Sequence, residues 1–546
     1  MSGMVGSVAS HLSDSALKYP KVHALVSGAK KAAFAPLSFA ELDQIVDCAV
    51  GELLQSGIKP GEKTLLFVNP GPGLIIWAFA LFRLGAIPVV IDPGMGIQSF
   101  LGCIKRTRPS AMVGISRAFW LSRLLPKSFQ SVKKRYLVRP GSFGTGDEEK
   151  STSNFEAQPN DLAAIVFTSG STGSPKGVRY LHKTFNAQID ALRSIFGMMP
   201  GETDLTTLPI FGLFNPALGI TSVLPEMNPR CPAKANPTKL VESILAHNVT
   251  TAFASPVVGK KVAYACHSKN VNLSKMNRFF LAGAPVPPSL VENLQAFLPQ
   301  GQVIVPYGAT EALPVSWTYG DQIVKNKNST LKGLGSLVGS PVPGARVTIV
   351  PSVGPPLPDY PENYSGLERG MVGEICVSGP MVTAGYDRMP GATCDARFKI
   401  GNHENHRMGD LGHLDKDGNL RFLGRKAECV ITPDGPLETE RCEPGINELP
   451  GVNRCALIGL GSAPNQEPCL IVEPSKERIR ETGENALRNE IFAELKTLFP
   501  QFKINRILFE KKIPVDARHN AKIHRLSLAK KWSSLVYRKP KLGIPV

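Results

Sequence analysis

The chain has 546 residues, with 62 Lys+Arg against 45 Asp+Glu and a formal net charge of +17. At 42% hydrophobic and 20% charged it is neither disordered nor fibrous, and its length suits two or three domains with large cores. The ten cysteines include no CxxC pair, which speaks against a zinc ribbon or a disulfide scaffold; a reduced, cytoplasmic protein is expected.

The first twenty residues lack the apolar core of a signal peptide. Residues 64–68 form a short apolar run, 74–84 have helix length, and 87–91 are β-branched and end in Asp92-Pro93-Gly94. That is a βαβ pattern, the unit of a parallel sheet. The apolar stretch 73–91 is broken by Arg83 and Pro88, so it reads as a buried helix entering a buried strand, not a membrane span. Residues 139–160 are polar and read as a surface connection, and 162–167 read as another strand. Residues 351–365 are Pro-rich and read as an exposed loop. From 426 the texture changes: short strands at 455–459 and 470–473 surround a charged helical stretch, 477–499. The expected organisation is a large α/β unit over 1–425 and a small α+β unit over 426–546. No repeat with a period of 20–50 residues is visible.

The charge is uneven. Residues 501–546 hold 12 Lys/Arg and 2 Asp/Glu, so +10 of the +17 lies there. The other 500 residues carry +7, an ordinary value for solubility. A nucleic-acid partner is therefore not expected. The basic end has interleaved aromatics only at Trp532 and Tyr537, and no recognition motif accompanies it.

The strongest chemical signal follows the 162–167 strand: Thr168, Ser169, Gly170, Ser171, Thr172, Gly173, then Ser174-Pro175 and Lys176. Hydroxyls, glycine amides and one lysine are what a phosphate-binding loop needs. It is not a Walker A loop, because Pro175 stands where that pattern requires glycine.

This segment resembles the signature loop of the adenylate-forming enzymes, the superfamily of acyl-CoA synthetases, luciferases and peptide-synthetase adenylation domains. Further motifs agree in family order: Ala282-Gly283-Ala284-Pro285, Tyr307-Gly308-Ala309-Thr310-Glu311, Gly385-Tyr386, Gly409-Asp410-Leu411-Gly412, Gly424-Arg425 and Asp516 through Lys522. The resemblance implies an α/β fold with a large multi-subdomain N-terminal adenylation domain and a small mobile α+β C-terminal domain. It implies ATP and Mg²⁺ as cofactors. Lys522 would stabilise charge on the α-phosphate, Thr310 would touch that phosphate, and Glu311 would hold Mg²⁺. Thr168 to Gly173 and Lys176 would cradle phosphates. Gly283, Ala284 and Pro285 would lie along adenine, on which Tyr307 could stack. Asp410, assisted by Arg425, would bind the ribose hydroxyls. Arg518 and Arg525 could also serve the triphosphate. His182 reads as structural, and Cys429, Cys442 and Cys455 as packing residues.

Several departures narrow the family. Phe211-Gly212 stands where many acyl-CoA synthetases carry an aromatic–histidine pair, Met408 replaces a usual threonine, and Ala427, beside Lys426, stands at the usual hinge position. Ile431 to Pro436 replaces a glycine-rich loop that helps admit coenzyme A. Segments such as Phe214-Asn215-Pro216-Ala217-Leu218-Gly219 and His406-Arg407-Met408-Gly409-Asp410 resemble the β-lactone synthetases of bacterial long-chain olefin biosynthesis. That resemblance implies a 2-alkyl-3-hydroxy fatty acid substrate and a cis-β-lactone product. It also implies possible partnership with a thiolase, a reductase and a β-lactone decarboxylase. Fatty acyl-CoA or acyl-AMP ligation, and a non-catalytic nucleotide-binding scaffold, are the alternatives. Phe211, Leu213, Phe214 and Ala309 are candidate walls of an apolar pocket or ordinary core.

Overall fold

The computed structural model describes residues 6–31, 33–139, 155–168, 174–208, 211–352, 359–516 and 522–537. The βαβ pattern is realised as Lys63–Phe67, Pro72–Leu84 and Ile87–Val90. Nine of the helix residues are buried, as expected for a helix apolar on all sides. Among the described residues no helix is long and apolar enough to cross a membrane.

This unit belongs to a six-stranded sheet. Its order is Lys134–Leu137, Ala111–Gly114, Lys63–Phe67, Ile87–Val90, Leu162–Thr168, Lys176–Leu181. All neighbours are parallel except the last pair, where Lys176–Leu181 folds back on Leu162–Thr168.

A second, larger sheet changes character halfway. Its parallel half runs His23–Ser27, Thr221–Leu224, Thr203–Thr206, Thr251–Ala254, Arg278–Leu281, Gln302–Ala309. Gln302–Ala309 then turns tightly into Ala312–Tyr319, and the sheet continues antiparallel through Ser336–Pro341, Leu420–Arg425, His403–Leu414 and Gly373–Ser378. The switch point is the hairpin that carries Thr310 and Glu311.

From residue 430 onward the named strands pair only among themselves. Val452–Leu460, Glu467–Pro474 and Arg506–Phe509 form a three-stranded sheet. Its faces bury two separate clusters, one around Leu457, Leu487 and Ile491, the other around Ile458, Ile471 and Leu528. The charged stretch is the helix Lys476–Leu498, interrupted at Gly483. Ile431 to Pro436 is a hairpin of Val430–Thr432 and Gly435–Leu437. All ten thiols are free. Cys442 and Cys455 are buried in the smaller unit's core, while Cys429 is half-buried.

The small unit carries a cluster of three acids around one cation. Arg525 reaches Glu428 at 2.8 Å and Glu443 at 2.6 Å. Glu440 is buried beside them and accepts a 2.7 Å hydrogen bond from Ser336 of the large unit. Burial, then the Glu443 charge, push the Glu440 carboxyl up to about 7. Burial and the neighbouring carboxylate outweigh the Arg525 charge at Glu440, so this carboxyl holds a proton near neutrality. A carboxyl raised in the folded state stabilises the fold below its unfolded pKa and loses that contribution as pH rises through about 7. The melting temperature should therefore fall between about pH 5 and pH 8, and Glu440→Gln should flatten that fall and be the more stable form at the upper end. Calorimetric melts of both proteins across this range check it; parallel slopes would remove Glu440 from the account.

Candidate active site

The hairpin Tyr307–Ala312 closes only because residue 308 is glycine: a Cβ there would lie 2.6 Å from the Ala312 carbonyl oxygen. The turn brings Tyr307 to Asp410, and the Tyr307 hydroxyl donates to Asp410 Oδ2 at 2.6 Å. Asp410 sits in His403–Leu414, directly opposite Arg425 in the neighbouring strand. Arg425 Nη1 lies 3.0 Å from Asp410 Oδ1 and donates to the Met408 carbonyl at 3.2 Å. Gly409, at φ +68°, turns the chain between Met408, which enters the apolar core, and Asp410, which faces the site.

Asp410 is 3% exposed, and its Oδ1 has an ion pair but no directed hydrogen bond. Burial pushes this carboxyl up; the Arg425 charge, the Tyr307 hydroxyl and the Lys522 charge oppose that in turn. A buried acceptor without a directed donor suits a ribose hydroxyl. Burial and the Asp410 charge push the Tyr307 hydroxyl well up, so it stays a donor. Its half-buried ring lies beside Phe422, with centroids 6.1 Å apart. Gly283, Ala284 and Pro285 leave the C-terminal end of Arg278–Leu281, the strand next to Tyr307's own, so sheet order places them alongside.

Glu311 shares the hairpin turn with Thr310. Its Oε1 accepts from the Tyr386 hydroxyl at 3.0 Å. Lys176 Nζ lies 4.7 Å from the centre of the Tyr386 ring, so it comes to the same side as Glu311. Tyr180, on the Lys176 strand, donates to the Thr310 carbonyl at 2.6 Å. Ser169, Gly170, Ser171, Thr172 and Gly173 lie outside the described residues; the Thr168 backbone pairs with Lys176. Among the described residues no three His, Cys, Asp or Glu side chains could hold a metal together. A Mg²⁺ on Glu311 would thus complete its shell with phosphate oxygens and water, the usual habit of that ion.

Lys522 is exposed and belongs to the small unit. Its backbone is clamped by Asp516: the Lys522 amide donates to Asp516 Oδ1, and the Asp516 amide to the Lys522 carbonyl, each at 2.9 Å. Buried Ile523 anchors the next position. The Lys522 charge is among the influences that lower the Asp410 carboxyl, after Arg425 and the Tyr307 hydroxyl. Arg525 corrects the sequence reading. Only 13% of its side chain is exposed, and both ends are tied to Glu428 and Glu443, so it is not available to a triphosphate. Arg518 lies outside the described residues. Lys426, beside Ala427, pairs with buried Glu374 at 2.9 Å.

The expected wall residues are half-buried and apolar, and Phe211 and Phe214 join an aromatic row. Phe211 stacks on Phe253 at 3.9 Å, Phe214 lies 6.1 Å from Phe185, and Phe185 lies 4.8 Å from Tyr180. The row therefore ends at the Thr310 turn. His182 is structural as expected: its Nδ1 accepts from the Val8 amide at 3.1 Å, and burial pushes it down to about 4.

Tyr180, Tyr386 and His406 escaped the sequence reading as site residues. Tyr386 belongs to the Gly385-Tyr386 motif, but only the fold shows its hydroxyl on Glu311. His406 shares the strand of Asp410; burial pushes it down to about 4, with Glu311, Arg397 and Lys176 as its charged neighbours. Tyr307→Phe should weaken nucleotide binding by about 1.5–3 kcal/mol, the usual worth of a hydrogen bond to a charged group. Calorimetric titration with ATP measures this, and unchanged affinity would mean that Asp410 needs no positioning by Tyr307.

Residues 12–387 match the family model described as AMP-binding enzyme. The chain is 39% identical over 513 residues to the olefin beta-lactone synthetase of Stenotrophomonas maltophilia (strain K279a), covering 91% of each. It is 39% identical over 521 residues to the protein of the same name from Xanthomonas campestris pv. campestris, covering 90% of each. Among solved structures it resembles the amide bond synthetase McbA from Marinactinospora thermotolerans, with TM-score 0.78, 22% identity, and 96% and 99% of the two chains covered. ATP-bound MatB from Rhodopseudomonas palustris also has TM-score 0.78, at 21% identity over 96% and 99% of the two chains. These structural likenesses show the fold alone. The family match includes the strands and turns that carry Lys176, Tyr307, Thr310, Glu311 and Tyr386 and ends before Asp410; the chain is a member of the AMP-binding, adenylate-forming enzymes.

Proposed function

We propose that the protein is an ATP-dependent β-lactone synthetase. The observation that carries the product assignment is the 39% identity, over nine-tenths of the chain, to two olefin beta-lactone synthetases. The substrate in this reading is a 2-alkyl-3-hydroxyalkanoic acid. Residues 1–425 act as the adenylation domain, and 426–546 as the small domain that delivers Lys522.

The reaction has two steps. The substrate carboxylate attacks the α-phosphorus of ATP; a phosphorus–oxygen bond forms and pyrophosphate leaves. Negative charge grows on the α-phosphate, where Lys522 and the Thr310 turn stand ready to stabilise it. Glu311 would hold Mg²⁺, which would supply charge neutralisation at the phosphates. The substrate's own β-hydroxyl then attacks the acyl carbonyl. A carbon–oxygen bond closes the ring, the bond to AMP breaks, and AMP leaves with the electron pair. The hydroxyl proton passes to a base; the α-phosphate of the departing AMP is an acceptable one. A nucleophile on the same molecule gives an effective concentration worth up to about 7–11 kcal/mol, part of which the strained ring consumes. No second substrate is needed, in keeping with the hairpin that stands in place of a coenzyme A loop.

The reading places the enzyme in the cytoplasm, beside the thiolase, reductase and β-lactone decarboxylase of the olefin pathway. The test is incubation with ATP, Mg²⁺ and a 2-alkyl-3-hydroxy acid without coenzyme A. AMP, pyrophosphate and a lactone carbonyl are expected. A thioester formed only once coenzyme A is added would instead assign fatty acyl-CoA ligation. Lys522→Ala should lower pyrophosphate release about 100-fold or more while ATP still binds, the scale seen when one transition-state donor is lost. Undiminished release would deny Lys522 its role.

A further inference from the structure

The basic charge has a second concentration, distinct from the C-terminal one. Residues 93–146 contain ten Lys/Arg and no Asp or Glu. The +7 of residues 1–500 is thus +10 on this stretch and −3 on the rest, not an even spread.

The fold brings part of this stretch onto one face. The helix Ser116–Leu124 lies over Gly114, whose Cβ would meet Ala118 at 2.8 Å. Gly114 pairs with Leu137 of the edge strand Lys134–Leu137, and Met112 pairs with Arg135. Met112 packs in the same core cluster as Ala118, so the side chains of Arg135 and Leu137 leave the sheet on the helix side. On the helix, Ala118 and Ser122 are buried, while Arg117, Trp120, Arg123 and Leu124 face out.

Large apolar side chains are bare here. Trp120 is 65% exposed, Leu124 72%, Leu125 36% and Leu137 39%. Around them stand exposed Arg117, Arg123, Lys127, Lys133 and Arg135, which form no ion pair among the described residues. Charge on an edge strand is a normal guard against strand pairing, which accounts for Arg135. It does not account for Trp120 and Leu124, which lie on a helix.

We propose that this face docks on a bilayer surface bearing anionic headgroups. Tryptophan and leucine beside arginine and lysine, with no acid between them, is the composition that seats a helix at a lipid interface. The apolar groups enter the acyl boundary and the cations meet the lipid charge, each worth roughly fivefold in partitioning. A folded protein partner would need oppositely charged residues in register. A lipid surface needs only sign and an apolar tip, and that is what the face offers. Docking would hold the enzyme where a two-chain hydroxy acid resides, although the inference does not depend on the product assigned above.

Sedimentation of the full chain with vesicles tests it, without ATP or turnover, so its outcome is separate from that of the lactone assay. Vesicles of phosphatidylcholine with phosphatidylglycerol should carry the protein down, and phosphatidylcholine alone or high salt should release much of it. The triple variant Arg117→Glu, Arg123→Glu, Lys127→Glu should lower partitioning about 100-fold or more. The double variant Trp120→Ser, Leu124→Ser should lower it about tenfold or more. Both should retain ATP–pyrophosphate exchange with a short, soluble hydroxy acid, which shows that the fold survives. The proposal fails if anionic vesicles do not bind the protein, if neither variant weakens binding, or if removing residues 538–546 alone abolishes it. It also fails if the face captures an acidic protein while ignoring vesicles.

Discussion

A carboxylate taken out of water must find partners, and Asp410 organises the site around that requirement. It is 3% exposed, yet it faces the Tyr307 hydroxyl, Arg425 and the field of Lys522. These partners come from three places in the chain: the end of the parallel half of the large sheet, its antiparallel half, and the small unit. Satisfying one buried acid therefore joins the two halves of the large sheet through Tyr307 and Arg425, while Lys522 adds only its field. One oxygen keeps no directed donor. The constraint that assembles the site thus leaves an acceptor for a ligand.

A second buried charge does corresponding work in the small unit. Arg525 lies three residues after Lys522 and ties Glu428, in the short turn Lys426–Glu428, to Glu443 in the helix Thr439–Asn447. The helix also reaches the large unit through Glu440 and Ser336. The start of the helix Arg525–Tyr537 is thereby connected to the turn Lys426–Glu428, to the helix Thr439–Asn447 and through it to the large unit. Losing one partner would strand a buried charge, typically about 3–5 kcal/mol. Arg525 is thus a positioning residue and not a ligand for phosphate.

The net charge of +17 separates into distinct physical roles. Part is neutralised inside the molecule, as at Arg525. Part lies near Asp410 and Tyr386, as at Lys522 and Lys176. Part stands exposed on the face of Ser116–Leu124, next to apolar side chains. The same residue types therefore take different parts according to the dielectric and neighbours that folding supplies.

Local patterns made much of this legible in the sequence. The βαβ unit, the glycine-rich loop and the Tyr307–Glu311 turn are short-range features, governed by periodicity and by the special backbone freedom of glycine. Their order along the chain sufficed to identify the family, and it singled out Asp410 and Arg425, which the fold pairs, as candidates together with Glu311 and Lys522. Long-range pairing was not legible. Nothing local to Tyr307 indicates that its hydroxyl meets a residue 103 positions away. Nothing local to Arg525 indicates that Glu428 and Glu443 enclose it, which is why its charge first read as available. The docking face needed both levels: an acid-free stretch is visible in the sequence, but only the register of Met112 with Arg135 and Gly114 with Leu137 sets its apolar and basic groups on one side. Sequence determines which chemical groups exist and how they repeat; tertiary structure decides which of them lose water together, and that loss sets their charge, partners and use.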